Sequence, residues 1–250
     1  MASEVTKTLA LVFGLVFSSL GCASTRLQLH IQNPQRQWIQ AAYIDQGKVF
    51  LPGPEGGERV DALYDKGKDQ FTFINHTNRF FLVLERENLQ QLAGILSTVG
   101  LIRTTGGRSR FGKMYHQTDE LRSINGFHCT VSQITRNGAP DTELCLAEPR
   151  SLKMQIEDYQ TFKAMLAFTG EILEKAEQLP AKFMVSAPDL YAGKFDGFPV
   201  WLSRADKGMN IMLLKISEAP AAPKSFSIPS GYRQAGLVDF LQGQLDTINK

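Results

Sequence analysis

The chain has 250 residues, 43% of them hydrophobic and 21% charged, with a formal net charge of +2. That length allows one large domain or two small ones, and the apolar content is ordinary for a globular core. The near-neutral balance lacks the basic footprint of a nucleic-acid binder and excludes nucleic acid as the expected partner.

The first 23 residues form a distinct unit. Lys7 and the amino terminus give a weakly positive start, Leu9 to Phe17 is apolar apart from Gly14, and Ser18, Ser19 and Gly21 are small. This order reads as a secretory signal peptide over 1–23; a membrane span needs about 20 apolar residues. Two processing readings stay open. In one, Cys22 becomes the first mature residue and carries acyl chains; Gly21-Cys22 fits a bacterial lipobox, while Ser19 and Leu20 stand in a poor order. In the other, cleavage after Ala23 releases a soluble periplasmic protein. The chain has only three cysteines, and one sits where a lipobox needs it, which favours the anchored form. The expectation is an exported bacterial protein, periplasmic and held on the outer membrane through Cys22. Each buried CH₂ of such an anchor contributes about 0.8 kcal/mol.

Residues 24–250 read as a single domain. Arg26 to Gln32 alternates, with Leu27, Leu29 and Ile31 on one face. Ile39–Asp45, Lys48–Leu51, Val60–Tyr64, Gln70–Asn75 and Phe80–Leu84 follow as short strands. Turn residues separate them, which predicts an antiparallel meander. The period then changes: Leu89, Leu92, Ala93 and Leu96 predict a short helix over Glu87–Leu96. Thr98–Tyr115 has no clear pattern. Phe127–Thr135 and Asp141–Ala147 flank Asn137-Gly138, a hairpin signal. Folding near Asn137 sets Cys129 opposite Cys145, and an even pair in an oxidising compartment predicts a disulfide. A reactive cysteine is the weaker alternative, because there is no CxxC and neighbouring His128 points to the other face of the strand.

Ile156–Leu179 is the clearest helix, with Tyr159, Phe162, Leu166, Ile172, Leu173, Ala176 and Leu179 along one face and Pro180 as its stop. Strands near Val200–Arg204 and Asn210–Ile216 come next. A proline-rich turn, Ala219–Lys224, and a terminal helix carrying Leu237, Phe240, Leu241, Leu245 and Ile248 complete the chain.

Motifs for chemistry are sparse. Gly107 to Lys113 has the glycine and lysine spacing of a phosphate loop, but Met114 replaces the hydroxyl residue that would hold Mg²⁺. Arg103, Arg108, Arg110 and Lys113 instead read as a basic loop, either solvated or touching anionic headgroups or a protein partner. His30, His76, His116 and His128 are dispersed, so no metal site is expected. There is no Gly-x-Ser-x-Gly elbow and no spaced carboxylate pair. No catalytic residue, no cofactor and no enzymatic activity are expected. The aromatics Phe71, Phe73, Phe81 and Trp201 lie on strands apolar on both faces. One face packs on helices; the other is ordinary core or the lining of a cavity, for which these four are the candidates.

Several segments carry a family resemblance. Ala62 to His76 and Phe80 to Leu84 resemble exported bacterial proteins with the LolA/LolB-like fold of lipoprotein localisation factors. Gly126 to Thr130, Glu143 to Ala147, Gly197 to Val200 and Phe226-Ser-Ile-Pro-Ser-Gly-Tyr232 are similar to a domain-of-unknown-function family within that group. The resemblance runs over roughly 25–233. It implies an α+β fold, in which a strongly curved antiparallel sheet, an incomplete β-barrel, is covered by helices. It also implies a concave apolar face that takes a lipid or a lipoprotein acyl chain. The long helix and the cysteine hairpin depart from the lipoprotein carrier, and no counterpart of a carrier's gating arginine can be placed. The leading expectation is a non-catalytic envelope protein holding an apolar ligand. The rival is a structural or regulatory protein-interaction module with a filled core.

Overall fold

A computed structural model describes residues 24–53, 59–88, 113–176, 195–204, 208–219, 226–236 and 239. The leader with Cys22, Arg103, Arg108, Arg110, the side chain of Lys113, the stop at Pro180 and the terminal helix lie outside those residues. So does Glu87–Leu96 beyond Asn88; its first residues belong to a 3₁₀ turn, Arg86–Asn88.

The strands are β1 (Ser24–Gln32), β2 (Gln37–Asp45), β3 (Lys48–Leu51), β4 (Val60–Asp65), β5 (Gln70–Asn75), β6 (Phe80–Glu85), β7 (Lys113–Ile124), β8 (Phe127–Arg136), β9 (Ala139–Ala147), β10 (Phe198–Arg204), β11 (Met209–Ala219) and β12 (Arg233–Gln234). One α-helix, α1 (Ile156–Ala176), stands among the described residues. All twelve strands join one sheet in the order β12-β6-β5-β4-β3-β2-β1-β11-β10-β9-β8-β7. The expected meander is β1 to β6. Gln46-Gly47, Asn125-Gly126 and Asn137-Gly138 all have positive φ at both residues, the backbone that two-residue hairpins require to match strand twist.

The sheet is open, and it curls around α1. Phe168 of α1 meets Phe71 of β5 at 5.4 Å and Tyr64 of β4 at 6.1 Å between ring centroids. Phe162 stacks on Phe198 of β10 at 4.9 Å. The two helix residues lie six apart, about 9 Å along the axis. Strands β5 and β10 are six strand spacings apart in the sheet, about 29 Å if it were flat. Only a curled sheet brings both to one short helix.

This curvature explains a difference from the predicted helix face. Phe162 and Leu166 are buried as expected, as is Met165 on the same face, and Phe168, at the rim of that face, is buried as well. A sheet that wraps the helix buries a wider arc than a flat one does. The fold is thus mostly strand with a single helix among the described residues. It is less helix-covered than the resemblance implies.

Two other expectations need correction. Strand β7 falls largely where no element was predicted. Its pairing with β8 slips between Gln117 and Leu121, and this bulge breaks the alternation by which strands are recognised. Cys129 and Cys145 do form a disulfide, with Cα atoms 5.3 Å apart, but they are not directly opposed. The two-residue turn pairs Arg136 with Ala139, a register that would set Cys145 opposite Thr130, and the shift between Ile134 and Thr135 moves it one step further, to Val131. The bond therefore runs diagonally across the ladder.

Two measurements probe this core. Phe168→Ala, at a site with 0% exposure, is expected to cost about 3–5 kcal/mol in urea unfolding; a loss below about 1 kcal/mol would mean the helix is not the centre of the core. Replacing Cys129 and Cys145 together by Ala is expected to cost about 3 kcal/mol for a loop of this length. An unchanged midpoint would show the staple to be redundant.

Candidate functional site

The four cavity candidates are not brought together. Phe71 and Phe73 share a face of β5, their rings stacked at 5.6 Å. Phe71 is only 4% exposed and packs on Phe168. It is core, and Phe73 is half-buried beside it. Phe81 pairs with Ile74, so strand alternation puts it on the opposite face from Phe73, which pairs with Leu82. Trp201 lies on β10, with five strands between it and β5. Its ring sits 5.7 Å from the guanidinium of Arg122, which also bonds Glu120 and Glu143 at 2.6 and 2.5 Å. Beside Phe71 and Tyr64, the concave space expected for a ligand is occupied by Phe168 of α1.

Arg86 anchors the later turns of that helix, and its role was not legible in the sequence. Its guanidinium lies over Phe168 at 4.7 Å, donates to Asp69 at 2.5 Å and pairs with Glu171 of α1. Burial opposes the charge on Arg86, but hydrogen bonds to Asp69 and Glu171 outweigh it and hold its pKa above the usual value. The Tyr64 hydroxyl donates to the same Asp69 at 3.2 Å. Burial first, and the Asp69 charge second, push the Tyr64 pKa up to about 12. The clamp thus ties β6, the β4–β5 turn and α1 over the largest aromatic cluster.

A cavity of about 720 Å³ lies by the start of α1. Ile44, Phe127, Leu152, Leu214 and Ile216 give it apolar wall, and the β2–β3 and β7–β8 turns contribute backbone. Asp45, Glu157, Asp158 and Glu218 line it with Lys153 and Lys215. Asp158 accepts a 2.5 Å hydrogen bond from the Thr25 hydroxyl. Burial raises the Asp158 pKa despite that bond, and the charges of Asp45 and Glu157 raise it further. None of these residues stood out in sequence, because they come together from β1, β2, β8, β11, the turn before α1 and α1 itself, and no spacing connects those elements.

An open antiparallel sheet curled around one helix, with a cavity at the helix start, is the class of protein this geometry defines. Residues 114–232 match the family described as Domain of unknown function (DUF4412). The match lies within the 25–233 over which the resemblance was read. Among solved structures, MucB in complex with MucA(peri) is similar at 10% identity and a TM-score of 0.30, over 86% of this chain and 55% of that one. The chain thus spans about half the length of the structure it matches. No curated protein matches it.

The Asp158 environment makes a pH prediction. Its carboxyl holds a proton more tightly in the folded state, so this group's stabilisation is present at low pH and lost as pH rises above the ordinary value of 3.8. Asp158→Asn keeps an acceptor for Thr25 and removes the ionisation. The stability of this variant relative to wild type is expected to climb as pH rises from that value, then level off. A difference that stays flat across that window, in denaturant titrations at several pH values, would rule the effect out.

Proposed function

We propose that this chain is a non-catalytic interaction module of the cell envelope, exported by its leader and working through its outer surface. The observation that carries this reading is the filled concavity: Phe168 is fully buried and Phe71 nearly so, leaving the inner face of the sheet committed to the protein's own helix. Where Tyr64, Phe71 and Phe168 pack together, a guest could enter only by displacing them. The leader pattern supports export, and Gly21-Cys22 supports anchoring at the outer membrane. The basic residues Arg103, Arg108, Arg110 and Lys113 are the proposed contact with a protein partner. Cross-linking of the full chain in its own envelope, followed by capture, is expected to yield a partner that is lost in R108E/R110E. Capture unaffected by that charge reversal would exclude the loop as the contact.

A second reading rests on the cavity beside α1. Its volume falls within the roughly 300–1,000 Å³ of small-molecule sites, and its mixed lining suits an amphiphile such as a lipid or acyl chain. Burial alone would supply the affinity, about 0.8 kcal/mol per methylene. Native mass spectrometry of protein purified from its envelope separates the two readings. The interaction module is expected to fly without bound lipid and to leave a fluorescent fatty acid unbound. Co-purified lipid, lost in Leu214→Glu, would instead establish the cavity as the site.

A further inference from the structure

The segment Phe226-Ser-Ile-Pro-Ser-Gly-Tyr232 takes no part in either reading, yet it is fixed at both ends. Phe226 meets Phe50 of β3 edge-on, with ring centroids 6.2 Å apart. Phe50 follows Val49, which pairs with Tyr64 on the helix side, so Phe50 belongs to the outer face of the sheet. Gly231 has a φ of +80°, a left-handed turn that suits glycine. Beyond it, Tyr232 meets His76 with its hydroxyl 2.9 Å from Nδ1.

His76 is held in turn. Its Nε2 lies 2.7 Å from Oδ2 of Asp61, which is 3% exposed. The other oxygen, Oδ1, accepts from the Gly53 amide at 2.8 Å and from Arg59 Nε at 3.3 Å. An ionised carboxylate only accepts, so Nε2 carries the proton and donates to it. In the neutral ring Nδ1 is then the acceptor for the Tyr232 hydroxyl. Asp61 fixes the ring, and the ring holds Tyr232.

Past Tyr232 the chain rounds the sheet edge. Arg233 and Gln234 form β12, parallel to Phe80 and Phe81 of β6. The amides of Arg233 and Ala235 donate to the carbonyls of Arg79 and Phe81 at 3.2 and 2.8 Å. Ala235 packs against Phe80 and Leu82, on the face Phe80 and Leu82 share with Asn75 and Phe73. The segment thus starts on the outer face at Phe50 and finishes on the other side of β6. A two-residue strand is far too short to stay in place alone, and both its residues are exposed.

We propose that Phe226–Gly236 is a strap that guards the β6 edge, and that Asp61, His76 and Tyr232 are its latch. Closed, the strap covers the backbone of Phe80 and Phe81, the start of an apolar strand that would otherwise be a template for strand addition. Opened, it presents that edge. This device stands apart from both functional readings above.

Hydrogen-exchange mass spectrometry on the full chain tests it, comparing wild type with Tyr232→Phe, His76→Gln and the double variant. Tyr232→Phe keeps the ring and deletes only the hydroxyl, so it leaves the folded core intact. Protection at Phe80–Leu82 and Arg233–Ala235 is expected to fall about tenfold in each single variant, while β9 and β10 keep theirs. The double variant should lose no more than His76→Gln alone, because that variant has already lost the contact which Tyr232→Phe removes. Unchanged protection at β6 and β12 would overturn the latch. So would a loss spread equally over β9 and β10, or additive losses in the double variant.

Discussion

Everything in this structure depends on Phe162 and Phe168 occupying the inside of a curled sheet. Twelve strands with an apolar inner face cannot remain flat and exposed, because that face must be covered. A second sheet or several helices would be the common solutions. Here the sheet bends until β4, β5 and β10 all touch one helix. The energy that holds the curl is therefore the burial of a few aromatic side chains. It also settles where anything else can bind. With the inner face committed, the remaining places are the cavity at the start of the helix, the outer surface and the sheet edges.

The helix is held differently at its two regions. Near Phe168 the cation of Arg86 bridges Asp69 and Glu171 while covering an aromatic ring, so opposite charges meet over apolar surface. At the start, Glu157 and Asp158 sit where the helix dipole favours acids. Burial and the neighbouring charges of Asp45 and Glu157 nonetheless push the Asp158 carboxyl toward its neutral form. The electrostatics thus tighten the region at Arg86 and strain the one beside the cavity. A site for change along α1 is more easily placed at its start, where the packing is already open.

Much of the fold was legible because half-buried strands leave a period-2 signature, and β3, β5 and the Asn137-Gly138 turn were read directly. The misses have physical causes. The bulge in β7 hides a twelve-residue strand behind charged residues. The two-residue turn and a one-step register shift together turn an opposed cysteine pair into a diagonal one. Parity could have separated Phe81 from Phe71 and Phe73, since they lie an odd number of pairings apart across β5 and β6. Which face is filled could not be read, because that depends on the curl, and the curl arises from contacts between residues about a hundred positions apart. Phe168 shows this best: on a helical wheel it lies only at the rim of the apolar stripe, yet it is among the most buried residues.

The edges complete the argument. An open sheet has two of them, and each is a hazard for unwanted pairing. At β7 the bulge and the exposed charges of Asp119 and Glu120 disturb the ladder. At β6 the chain instead returns across 156 residues, so that Tyr232 meets His76. His76 itself stands in a turn, where sequence reasoning finds only the end of a hairpin. The two edges are thus blunted by different means, one built into a strand and the other laid over it from elsewhere in the chain. Only the second can be undone without remaking the sheet. While the strap lies closed, the backbone of Phe80 and Phe81 is already paired and takes no added strand, and that edge is the place where the constraint can be lifted.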